Sequence, residues 1–168
     1  EPAQRWLQTR GAQLHLGARV QQLRRAAAGW QVDGEDFDAV VLACSAREAA
    51  RLTAEFAPDW SAQAAAFEYQ PIVTVSLQSP GSRLQAPMVA LREGPDAPAQ
   101  FVFDHGQLGL APGRFAFVVS GAASWVARGD VAERVRDQAI ATLPWAQPPV
   151  IERVLIEKRA TFACTPGL

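Results

Sequence analysis

The chain has 168 residues, 49% of them hydrophobic, with sixteen basic side chains against seventeen acidic and a formal charge of -1. That is enough apolar material for one good core, or for one domain plus part of another, and no cluster of Lys or Arg interleaved with aromatics marks a nucleic-acid track. The two cysteines, Cys44 and Cys164, stand in no CxxC or other paired spacing, which argues against a zinc site or dithiol exchange and predicts both as buried small hydrophobes.

In chain order, Pro2 to Thr9 reads as the end of a helix, with Trp6 and Leu7 as its apolar edge and Gly11 as the stop. Gln13 to Leu16 alternates as a short strand, and its isolated His15 is read as solvated, because no carboxylate or nucleophile stands in its local motif. Arg19 to Ala26 predicts another strand, with Val20 and Leu23 inward. Gly29 to Val32, an Asp33-Gly34 tight turn and Phe37 predict a hairpin feeding Ala39 to Ala43, an apolar run of the buried-strand kind. Ser45 then takes an N-cap position with Glu48 three residues on, and Ala46, Ala49, Ala50 and Leu52 continue at helical spacing. Strand, small-residue turn and helix N-terminus together can dock an anionic ligand, but any α/β protein has such junctions and plain connection chemistry is the favoured reading.

Pro58 to Phe67 predicts a second short helix with Trp60, Ala64 and Phe67 on one face. Ile72 to Leu77 alternates cleanly as a strand until Pro80-Gly81, and Met88 to Leu91, Gln100 to Phe103 and Phe115 to Ser120 are three more, with short turns that favour an antiparallel meander. Val126 to Leu143 reads as one long helix, begun at Asp130 with Glu133 and buried along Val131, Val135, Ala139, Ile140 and Leu143. Val150 to Phe162 is the last strand, with Glu157, Arg159 and Thr161 on the face opposite Lys158, Ala160 and Phe162.

No enzyme mechanism assembles from these residues alone. GxSxG, HExxH, phosphate-loop and paired-carboxylate motifs are absent, and Asp104-His105 are neighbours on a strand that point to opposite faces. No metal site is expected. The apolar runs are all too short to span a bilayer and the N-terminus shows no signal-peptide pattern, which predicts a cytoplasmic location. A chain that opens on Glu1 and stops just after Pro166-Gly167 predicts a piece of something longer.

The order of GAQLHLGARVQQL, the hairpin, FDAVVLACSAREAARL, QPIVTVSLQSP and EKRATFACTPGL resembles the middle of the flavin-containing amine oxidase and phytoene desaturase superfamily. Within it, EKRATFACTPGL and QFVFDHGQLG resemble the squalene-associated FAD-dependent desaturases, or hydroxysqualene dehydroxylases, of bacterial hopanoid synthesis. The resemblance implies an α+β fragment of an FAD-binding oxidoreductase. Residues 1–52 would be part of the FAD domain without its GxGxxG loop, and residues 53–168 a truncated substrate domain whose antiparallel or mixed sheet is backed by helices. It implies FAD in the whole protein and too few contacts in this chain alone to hold it. Val20 is the best match to a backbone contact with the adenine end, with Ala43, Cys44 and Ser45 beside it.

The resemblance also implies an apolar isoprenoid substrate, for which Ile72, Val102, Phe117, Val119 and Phe162 could line a pocket, and a location that includes peripheral association with a membrane. Amine oxidases of the superfamily carry a lysine where this chain has Pro71 or Ile72, which disfavours an amine substrate. Arg159 is the one catalytic candidate, as a guanidinium stabilising a leaving hydroxide or the reduced flavin. A carotenoid-type desaturase, an amine oxidase-like flavoenzyme and a non-enzymatic apolar-ligand or interaction module remain the alternatives.

Overall fold

The computed structural model describes residues 2–166, and the chain divides into two compact units, Glu1–Phe67 and Glu68–Leu168. The architecture is α+β, and both sheets are antiparallel.

In the first unit, helix α1 (Pro2–Gln8) precedes a three-stranded meander of β1 (Leu23–Arg25), β2 (Trp30–Val32) and β3 (Glu35–Phe37), followed by α2 (Ala46–Thr53) and α3 (Pro58–Ala65). The β2–β3 hairpin closes as the sequence predicts. Asp33 (φ 50°) and Gly34 (φ 95°) both take left-handed backbone, which a type I′ turn requires at its two central positions. Ser45 caps α2 by accepting the Glu48 amide at 3.4 Å.

Three expectations for this unit fail. Gln13 to Leu16 is not a strand. Ala39 to Ala43 is neither a strand nor buried, and Val41 is 90% exposed, because the meander ends at β3 and no described strand offers its backbone to this run. The face of α3 is also shifted: Ser61 and Ala64 are buried and Trp60 is exposed. Ser61 is small enough to let α3 approach α2 closely, and its hydroxyl donates to the Ala50 carbonyl at 2.7 Å. That packing carries the first unit on to Phe67, beyond the boundary expected near Thr53.

The second unit is a five-stranded sheet of β4 (Tyr69–Gln78), β5 (Met88–Ala90), β6 (Phe101–Asp104), β7 (Arg114–Val119) and β8 (Val150–Phe162), in the order β5-β6-β7-β4-β8. Helices α4 (Ala123–Arg128) and α5 (Val131–Thr142) cover one face. Val73, Val75 and Leu77 pair directly with Val119, Phe117 and Phe115, so all six point the same way, and all are fully buried with Trp125, Val135 and Ala139 in the core cluster. Burial of each such Val, Leu or Phe is worth about 1.5–3 kcal/mol. Trp145 closes the edge, its ring packed edge-on against Phe115 at 4.9 Å and its Nε1 donating to the Ala139 carbonyl.

The single long helix expected over Val126–Leu143 is two. Gly129 turns left-handed (φ 80°) and returns its amide to the Trp125 carbonyl, which ends α4. Asp130 makes no side-chain cap for α5 and instead accepts from Arg128 and Arg134. Ile140, expected on the buried stripe, is exposed, whereas Gln138 is buried. Its amide accepts from the Ala99 N–H and donates to the Ala99 carbonyl, holding the chain that enters β6.

Candidate functional site

The first unit contains a cleft of about 360 Å³ between the segment before β1 and the segment before α2. Val20, Leu23, Val40, Leu42, Ala43 and Cys44 give it apolar walls, while Arg19, Glu48 and Arg51 supply its polar groups. Of the four cofactor candidates, Val20, Ala43 and Cys44 therefore meet in one concavity, and Ser45 stands next to it as the α2 cap.

The polar side is built from local bonds. Arg51 projects from α2 and donates to the carbonyls of Val20 (2.6 Å) and Gln21 (2.7 Å), and to the Glu48 carboxylate (3.1 Å). Arg19 reaches the other Glu48 oxygen at 2.7 Å. Hydrogen bonds from Arg19 and then Arg51 hold the Glu48 carboxyl below its ordinary value. From the other side, Asp33 accepts the amides of Gln21 and Gln22 at 2.7–3.1 Å. The extended residues 20–22 are thus fixed by side chains where a sheet would have used a neighbouring strand. The Ser45 hydroxyl and the Glu48 carboxylate fill the first turn of α2, which is therefore ill suited to a phosphate.

In the second unit, register sorts the substrate candidates. Val102, Phe117 and Val119 are fully buried under the helices, and Ile72 lies on the other face of the sheet. Phe162 pairs with Tyr69 at the far end of β8 and is half exposed. These five line no common pocket, because direct partners in an antiparallel ladder share a face and these positions fall on two.

The uncovered face carries Ile72, Thr74, Phe101, Phe103, Val118 and Leu155, each exposed or half-buried. Sequence reasoning missed Phe101, Phe103, Val118 and Leu155, since both parities of FVFD, FAFVV and VLI are apolar and alternation cannot choose the inner one. Anchoring parity to the clean pattern of β4 would have found them.

Arg159 is exposed on β8, and among the described residues its guanidinium makes no ion pair; its backbone amide donates to the Glu157 carboxylate. The strict alternation that set it opposite Phe162 does not hold. Gln70 pairs with Thr161 and Ile72 with Glu157, leaving Lys158, Arg159 and Ala160 opposite Pro71 alone. Proline offers no N–H to a ladder, and the strand bulges there.

Asp104 is a structural carboxylate. It is 2% exposed and accepts from the amides of Leu84, Gly106 and Gln107 and from the Gln107 side chain, while His105 turns elsewhere. Both cysteines are exposed, contrary to expectation: Cys44 stands in the unpaired run that lines the cleft and Cys164 follows the end of β8. His15 is exposed, and among the described residues no group of His, Cys, Asp and Glu could hold a metal ion.

Residues 1–144 match the family model of the flavin containing amine oxidoreductases, most of the chain's length. The chain belongs to that family. A search of curated proteins finds no match. Among solved structures, this flavin amine oxidoreductase chain is similar to a protein of Exiguobacterium sp. 255-15 provisionally named a protoporphyrinogen oxidase, with TM-score 0.54 and 16% identity over 88% of this chain. At that identity the likeness is one of fold, and the chain spans 36% of the other protein's length. The family implies a flavin cofactor.

Proposed function

We propose that the whole protein is an FAD-dependent oxidoreductase acting on a polyprenyl chain, with hydroxysqualene to squalene as the favoured reaction. The observation that carries the substrate class is the uncovered sheet face, on which Ile72, Phe101, Phe103, Val118 and Leu155 present apolar side chains around Thr74. Burying each CH2 of a ligand against such a wall is worth ~0.8 kcal/mol, which favours long hydrocarbons. Lys158, the only lysine in the chain, lies in the bulge of β8 and not at Pro71 or Ile72, where the amine oxidases carry theirs.

The cleft residues Val20, Ala43 and Cys44 would hold the adenine end of FAD. Arg51 occupies the Val20 carbonyl, so the Val20 N–H is the backbone group of that residue left for the ligand. FAD, when bound, exchanges hydride with the substrate. Arg159 would stabilise the negative charge of a departing hydroxide, a role its position in the bulge permits because a bulge re-aims side chains. A nucleic-acid partner is not part of this reading. The other segments of the same chain are, because they would supply the pyrophosphate contacts.

The full-length protein, supplied with FAD and a reductant, is expected to convert hydroxysqualene to squalene, detected by mass spectrometry, and to leave benzylamine untouched. Desaturation of phytoene without squalene formation would replace the favoured reaction by the carotenoid type, and turnover of the amine would remove the polyprenyl reading.

A further inference from the structure

We propose that the β6–β7 loop and the sheet end beside it form a docking surface for an anionic phospholipid membrane. Leu108 and Leu110, in the loop joining Asp104 to Arg114, are 49% and 66% exposed. Loop tips usually carry small polar residues, and two exposed leucines spaced by one glycine depart from that pattern.

The loop is built to hold them out. The buried Asp104 carboxylate gathers the amides of Gly106 and Gln107, and the Gln107 side chain bridges Asp104 and the Leu84 carbonyl. The Leu108 amide donates to the Asp104 and His105 carbonyls and the Leu110 amide to that of His105. Both leucines can therefore enter a lipid interface without carrying an unsatisfied N–H into it.

Charge beside the loop selects the kind of surface. A polar hollow of about 300 Å³ is lined by Ser76, His105, Arg114, Glu152 and Arg153. It exists because β8 bulges: Ser76 pairs with Arg153 and Leu77 with Ile151, leaving Glu152 over to reach Arg114 at 2.5 Å. That ion pair occupies Arg114, whereas Arg153 is exposed on β8 and Arg83 is exposed in the segment that Asp104 ties to the loop. Val150, exposed, extends the apolar part, since Gln78 pairs with both Arg114 and Val150 across the sheet end. Apolar anchors on the same sheet end as the exposed Arg83 and Arg153 match a bilayer with anionic headgroups.

The inference is independent of which substrate the enzyme takes, because binding to lipid and turnover are read separately. The full chain is sedimented with vesicles of mixed phosphatidylglycerol and phosphatidylcholine, and with phosphatidylcholine alone. Binding to the mixed vesicles that weakens with salt is expected. Leu108→Ser with Leu110→Ser should weaken it by roughly tenfold or more, and Arg83→Gln with Arg153→Gln by about tenfold. All four positions are exposed, and unchanged thermal melts show that both variants keep the fold. No sedimentation with the mixed vesicles, equal binding to both lipids, or wild-type binding by the leucine variant would each overturn the proposal.

Discussion

Arg51 holds Val20 from below: its Nη2 donates to the Val20 carbonyl at 2.6 Å while Nη1 takes the next carbonyl, that of Gln21, at 2.7 Å. One guanidinium thus spans two successive peptides, which the single ammonium of a lysine cannot reproduce. Arg51→Ala should lower stability by about 1 kcal/mol, the low end for charged hydrogen bonds because the side chain is partly exposed. Arg51→Lys should recover less than half. Chemical denaturation of the three proteins checks this, and equal midpoints would show that residues 20–22 are held without the arginine.

Gly34 occupies the second central position of the β2–β3 turn at φ 95°, and a Cβ added there would meet no neighbouring atom. The effect of Gly34→Val is therefore backbone strain alone, about 1–2 kcal/mol for a β-branched residue in left-handed space. Gly34→Asn should cost clearly less, because Asn tolerates that region. A melting temperature that falls equally in both variants would point to lost packing.

Asp104 sets a pH dependence. Burial pushes its carboxyl up, but hydrogen bonds from the Gln107 side chain and from the amides of Leu84, Gln107 and Gly106 outweigh it, and the net direction is down. A carboxyl lower in the fold than in the unfolded chain stabilises fully above the unfolded value, about 3.9, and this stability is lost as pH falls from there through the folded value. Wild type should accordingly lose melting temperature on acidification from about pH 5 to pH 3, and Asp104→Asn should start lower and show a shallower slope. Parallel slopes would exclude Asp104 from the acid transition.

In the full-length enzyme, Arg159→Ala should lower kcat tenfold or more, about 1.4 kcal/mol, with little change in melting temperature, because the exposed guanidinium contributes little to packing. Wild-type turnover would leave Arg159 a solvated side chain of β8.

This chain alone should bind FAD weakly, since most of the affinity would come from the pyrophosphate and ring contacts and the chain contains no GxGxxG motif. A yellow purified protein, or calorimetry with a micromolar Kd, would show that the cleft beside Val20 suffices.

Where local chemistry determines structure, the sequence was legible. Asp33-Gly34 specifies its turn, Ser45 its cap, and the alternation of Ile72 to Leu77 its inner face, since each depends on residues close in the chain. Ala39 to Ala43 was misread because an apolar run becomes a strand only if another strand receives its hydrogen bonds, and periodicity says nothing about that. The helix break at Gly129 was missed because a lone glycine is tolerated within a helical pattern, and only its left-handed backbone, φ 80°, ends α4. The cleft residues Val20, Ala43 and Cys44 came from family resemblance. Arg51, which shapes their site, had no signal beyond its place on the α2 face toward Glu48. Of the proposed substrate residues, Val102, Phe117 and Val119 proved to be core because Phe101, Phe103 and Val118 are as apolar as these buried neighbours, and only Ile72 lies on the uncovered face with them.

The order of the larger sheet leaves β8 with one hydrogen-bonding edge unmatched among the described residues. Val154, Leu155 and Ile156 would make that edge a seed for intermolecular ribbon growth if they stood alone. They are bracketed by Glu152 and Arg153 on one side and by Glu157, Lys158 and Arg159 on the other, so a second copy pairing in parallel, in-register fashion sets each of these charges against its own like. The bulge opposite Pro71 further limits the length of straight ladder on offer. The same charges that frame the candidate catalytic arginine thus act as gatekeepers of solubility, and neutralising them together would shorten the concentration range over which the protein stays monodisperse.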